Sequence, residues 1–171
     1  MRIGGGVANA IGTALGVAGV GAPAPKVYEI ISGGVADGGF FPVETMHAFK
    51  IAELAKYSLH NPDGMYTTAF GLIMNSDTYN DLDAKQRGCV DDMRGVDLAR
   101  TVGWFWDDAD SVGAAAAASS GHELTIASDA ERAFYKNATA GVTTDVLDKV
   151  SSKGVDGAAA LAYLRDQVGR E

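Results

Sequence analysis

The chain opens on "RIGGG", two residues of strand character running into three glycines, and continues into "VANAIGTALG", where small apolar residues recur at helical spacing. The pattern predicts a strand opening onto a helix. Gly12 and Gly16 weaken that helix but permit close packing. "GAPAP" is a connector, and "KVYEIIS", residues 26–32, is a short helix stopped by Gly33 and Gly34. "VADGGFF" predicts a short strand and a loop. Residues 46–57 form an amphipathic pattern, with Met46, Phe49 and Leu54 near one face and Lys50, Glu53 and Lys56 on the other. "HNPDG" has turn chemistry. "MYTTAFGLIMN", residues 65–75, is aromatic and branched, which predicts a buried strand.

Beyond it, residues 77–82 and 83–119 predict helix, with breaks at Gly95 and Gly103. "HELTIA" is a short strand near 122–127. Ser128 followed by Glu131 is a capping box, the signature of a helix start. The last helix is expected over 157–168. This order favours an α/β fold: a short mixed sheet flanked by helices in 2–75, then a helical region over 76–171 with one short strand.

Composition narrows the partners. The chain has 171 residues, about one domain's worth, and 47% are apolar, enough for a core. A net charge of −8 with no Lys or Arg run argues against nucleic acid and against anionic membrane surfaces. No apolar stretch approaches the roughly 20 residues of a membrane span, so no direct membrane insertion is expected. "MRIGGG" lacks the layout of an export signal. The single cysteine, Cys89, cannot form an internal disulfide and is expected as a small, partly buried helix residue.

Reactive constellations are few. "GGGVANAIG" departs from the dinucleotide fingerprint because Asn9 stands where its third glycine belongs. His47, His60 and His122 are isolated, without neighbours at metal spacing, and are expected as surface or cap residues. Asp91 with Asp92, and Asp107, Asp108 and Asp110, are expected on a solvated helix face. No nucleophile elbow occurs. The expectation is therefore no catalytic residue, no metal site and no cofactor.

Arg2 beside a glycine-rich turn and Phe41 on a glycine-loosened stretch remain. A guanidinium can grip a carboxylate through two parallel hydrogen bonds, and an aromatic face can cover the organic body of the same ligand. Equally, Arg2 could be a frayed terminal residue and Phe41 a core residue.

"RIGGG", "KVYEIISGGVADGGFFPVE", a helix ending in "AKYS" and "MYTTAFGLIMNSDTYNDLD" together resemble the solute-binding proteins of tripartite ATP-independent periplasmic (TRAP) transporters. Val27, Tyr28, Gly34, Val35, Asp37 and Gly38 match one motif of that family, and Asn75, Tyr79 and Leu82 another. The resemblance implies a periplasmic-binding-protein-like lobe, one of two α/β lobes that close on a small organic carboxylate. It implies that Arg2 forms the salt bridge to the ligand, that Phe41 faces it, and that Met65 and Tyr66 line the cleft. Phe41 in place of the family's frequent Asn suggests a ligand with a flat or apolar body. The implied partners are that ligand and, in the full-length form, the membrane permease subunits; the implied location is periplasmic.

Family members run to about twice this length, so the chain is expected to be the second lobe and the C-terminal helices, with the first lobe absent. Apolar surface should then be exposed along 65–75 and on the last helices. The rival expectations are a fragment of an α/β enzyme without a recognisable catalytic motif, and an interaction module in which Arg2 and Phe41 only pack.

Overall fold

The computed structural model describes residues 1–168. In chain order the elements are β1 (Arg2–Ile3), α1 (Val7–Ala14), β2 (Val20–Gly21), α2 (Val27–Ser32), α3 (Thr45–Ala48), β3 (Tyr57–His60), α4 (Ser76–Asn80), α5 (Ala84–Asp92), α6 (Val96–Ser119), β4 (Glu123–Ile126), α7 (Asp129–Ser151) and α8 (Gly157–Val168). The protein is a mostly helical α/β chain. The expected single mixed sheet is replaced by two sheets of two strands each, β1–β2 and β3–β4. By its internal contacts the chain divides into two compact units. One comprises Met1–Phe40, Leu59–Asp63 and the chain from Ile126 on; the other comprises Phe41–Ser58 and Gly64–Thr125.

The first unit is built on a β1–α1–β2 crossover. β1 and β2 are parallel, with Arg2 opposite Val20 and Ile3 opposite Gly21. On its other side Arg2 bridges to Gly39. That single bridge is all that forms of the strand expected at "VADGGFF". Ala8, Ile11 and Gly12 turn one face of α1 inward, where Ile3, Val27, Ala36 and Phe40 are also buried. A side chain at Gly12 would collide with Ile3, so the glycine permits the close packing expected of it. α7 packs on α1 and on α8. α7 starts at the expected capping box: Ser128 Oγ accepts from the Glu131 N–H, and the Glu131 carboxylate accepts from the Ser128 N–H.

The second unit centres on α3 and the C-terminal half of α6. Gly113, buried in α6, lies directly under the backbone of Val43 and Glu44. The Glu44 N–H donates to Asp110 Oδ1 at 3.0 Å. The helix expected over 46–57 lasts only through α3. Lys50 sits at φ 55°, a left-handed conformation that no α-helix continues, and Ile51–Glu53 make a tight 3₁₀ turn that buries Ile51.

Further differences arise in the same unit. Gly95, at φ 77°, breaks the chain before α6 as expected, but α6 runs uninterrupted through Gly103. One glycine costs a helix about 1 kcal/mol, which the hydrogen bonds of a long helix absorb. Cys89 is exposed on α5 instead of partly buried. Residues 65–75 form no strand: they belong to neither of the two sheets. They are nonetheless apolar and largely exposed, as are Tyr163 and Leu164 on α8.

Candidate functional site

Arg2 is not frayed. Its residue is only 6% exposed. Its backbone N–H donates to Gly38 O at 2.6 Å, and its own carbonyl accepts from the Phe40 N–H at 3.3 Å. The side chain turns toward the end of β2, where Nε and Nη2 donate to the single carbonyl of Ala22 at 3.0 and 2.8 Å. That acceptor is a backbone carbonyl, which orients the guanidinium fork.

The two phenylalanines part company at the end of this bridge. Phe40 is buried in the first unit, near Ile3 and Gly12. Phe41, the next residue along the chain, is half-buried and begins the second unit. Met65 and Tyr66 are also half-buried. They follow a turn in which the Asp63 N–H donates to Asn61 Oδ1 and Gly64 adopts φ 74°. Arg2 thus belongs to one unit, and Phe41, Met65 and Tyr66 to the other.

The second unit contains two shallow hollows of about 350 Å³ each. One is lined by Met46, His47, Lys50, Glu53 and Ser119, the other by Met74, Tyr79, Asn80, Asp91 and Arg94. Neither is lined by the four residues above. Among the described residues no group of three or more His, Cys, Asp or Glu stands ready to hold a metal ion.

Residues that matched the second sequence motif do structural work around that second hollow. Asn75 caps α4, its side-chain oxygen accepting from the Asp77 and Thr78 N–H groups. Tyr79 donates to the Asp91 carboxylate at 2.9 Å, which holds the phenol above the usual tyrosine range, and Asp91 also pairs with Arg94. Arg87 lies over the Tyr79 ring and donates to the carbonyls of Asn80 and Leu82. The motif therefore folds the α4–α5 corner.

His122 is no simple surface or cap residue. Its Nδ1 lies 2.8 Å from the Ala55 carbonyl, an acceptor only, so Nδ1 carries the proton. Nε2 then accepts from the Ser58 hydroxyl at 2.6 Å. This link ties the entry to β4 to the chain around β3 within the second unit. Nothing in the sequence announces it, because its partners lie more than sixty residues away.

Residues 1–149 match the profile of the DctP family, described as bacterial extracellular solute-binding protein, family 7. The chain belongs to that family. DctP-family members bind solutes and are not enzymes, which removes the enzyme-fragment alternative. A periplasmic TRAP solute-binding protein of Bordetella bronchiseptica, solved with bound (R)- and (S)-mandelate, is 32% identical with a TM-score of 0.91; the match covers 99% of this chain and 55% of that one. A marine metagenome TRAP protein specific for aromatic acid ligands, in complex with metahydroxyphenylacetate, is 27% identical with a TM-score of 0.83, again over 99% and 55%. A curated relative from Comamonas testosteroni, the outer membrane transporter protein TsaT, is 28% identical over 95% of this chain and 48% of its own length. The chain thus spans about half the length of its DctP-family relatives. Among the described residues no helix is long and apolar enough to cross a membrane.

Proposed function

We propose that this chain is the ligand-binding second lobe and C-terminal region of a periplasmic receptor that captures small aromatic monocarboxylates for a TRAP transporter, delivering them to its membrane permease subunits. The observation that carries this reading is the ligand chemistry of the two relatives above: mandelate and hydroxyphenylacetate each join an aromatic ring to one carboxylate. Arg2 has the matching charge and is oriented by a neutral carbonyl. Phe41, half-buried after a glycine-rich stretch, offers a flat apolar surface where a polar side chain would favour a hydroxyl-rich sugar acid. Met65 and Tyr66 supply further cleft wall.

The test is a chimera in which these 171 residues replace the matched part of the Bordetella protein, so that the rest of the family fold is present. Calorimetry should give micromolar mandelate binding, about 8 kcal/mol, and at least tenfold weaker binding of glucuronate. Arg2→Ala should weaken mandelate by tenfold or more, since removing one partner of a desolvated charge pair costs about 2–5 kcal/mol. Equal affinity for glucuronate sinks the aromatic assignment; unchanged affinity in a folded Arg2→Ala chimera removes Arg2 from the site.

A further inference from the structure

The turn 61–64 leads the chain out of β3. Pro62 fixes one backbone angle there, the Asp63 N–H donates to Asn61 Oδ1 at 3.0 Å, and Gly64 leaves the turn at φ 74°. These features are local: they shape the turn without saying where it lies. Two contacts from around the start of α7 tie it down. The His60 carbonyl, at the end of β3, accepts from the Ala127 N–H at 2.8 Å, and five residues further along Arg132 Nη1 donates to Asp63 Oδ1 at 3.2 Å. Arg132 and Asp63 both lie in the first unit, and Asp63 is its last residue before the chain enters the second.

Arg132 is arranged for that contact. It follows the capping-box Glu131, and its Nη2 donates to Asp129, three residues back on the same helix. Asp129 is almost fully exposed, and a carboxylate is favourable at a helix N-terminus. It aims the guanidinium, whose planar fork then gives one arm to each carboxylate. The Arg132 side chain is one-third exposed, and its Nε is buried without a hydrogen-bond partner among the described residues, so packing seats the group as well as charge. Asp63 is 64% exposed, and an ion pair that open adds little to stability. What the pair fixes is position. Met65 follows Asp63 through Gly64 alone, and Tyr66 comes next.

We propose that Arg132 is a positioning residue for ligand binding: by holding Asp63 it fixes the turn 61–64, and the turn places Met65 and Tyr66. The proposal rests on the reading of those two residues as cleft wall. Arg132 itself touches no ligand; it acts through the turn, with Asp129 as the group that orients it. A small displacement of a positioned wall weakens binding without unfolding anything, so the pair should matter more to affinity than to melting.

Two measurements test it, one without ligand. In the 171-residue chain with ¹³C-methyl methionine, Asp63→Asn and Arg132→Gln should each move the Met65 resonance, assigned with Met65→Leu, and leave those of Met46 and Met93 in place. In the chimera each variant should weaken mandelate by about fivefold, and the double variant by no more than either alone, as for two residues acting as one unit. Melting temperatures should stay within about 2 °C of the parent. A Met65 resonance unmoved by both variants overturns the proposal, and so does unchanged affinity in a chimera that binds mandelate. A large fall in melting temperature with all methionine resonances displaced also overturns it, because the pair would then hold the fold and not the turn. A parent chimera that binds no mandelate is a failure of the ligand reading alone, and the methyl resonance still decides whether Arg132 places Met65.

Discussion

Glu44 occupies an uncomfortable position for a carboxylate. Its Oε2 is buried without a hydrogen-bond partner among the described residues, and Asp110 lies beside it. Burial first, and then the neighbouring negative charge, hold its pKa above the ordinary glutamate value. A carboxyl that binds its proton more tightly folded than unfolded favours the folded state at low pH. That stability is lost as pH rises from the ordinary glutamate value through the raised one. Glu44→Gln should therefore raise the melting temperature at pH 7, and the advantage should shrink toward pH 4 to 5. A gain independent of pH would show that charge at Glu44 is not the cause. Arg2 differs in kind: it is a buried cation whose Nε and Nη2 both donate to the Ala22 carbonyl, which fixes the direction of its guanidinium.

At the scale of the element, two glycines of α6 separate helix propensity from packing. Gly103 has open space where a Cβ would stand, and Gly113 has the backbone of Val43 and Glu44 there. Gly103→Ala should stabilise the chain by up to about 1 kcal/mol, since only the entropy of glycine in a helix is removed. Gly113→Ala should destabilise it by about 1–3 kcal/mol, because backbone cannot step aside as a side chain can. Urea melts of the two variants check the pair, and stabilisation of equal size in both would mean that the approach of Val43 and Glu44 to α6 is looser than described. The α4–α5 corner follows the same rule of local closure, with the Asn75 cap and the Asp83–Gln86 capping box fixing two helix starts within a few residues of sequence.

For the whole molecule the dominant fact is uncovered apolar surface in both units: Phe134 and Tyr163 in the first, Phe70 and Trp104 in the second. Because the net charge is −8, a neutral dye such as Nile red is a fairer probe than an anionic one. The folded chain should enhance its emission at neutral pH while keeping a native near-ultraviolet circular dichroism signal. That combination distinguishes native exposure from a loosened core. Absence of enhancement would mean the apolar side chains are covered in solution, contrary to the structure.

Short-range chemistry made part of this protein legible from sequence. The Ser128–Glu131 box closes within one turn, α8 covers the expected 157–168, and Gly95 breaks the chain before α6 by its own backbone freedom. Arg2 and Phe41 stood out because unusual residues met glycines, and the family followed from motif spacing. What the sequence could not decide depends on partners distant along the chain. Lys50 leaves the helix so that Ile51 can be buried, and His122 is claimed by Ser58 and Ala55. Residues 67–74 have the composition of a strand, but composition sets only what a segment would gain by pairing. A strand exists where a neighbour supplies hydrogen bonds, and that neighbour is a property of the tertiary structure.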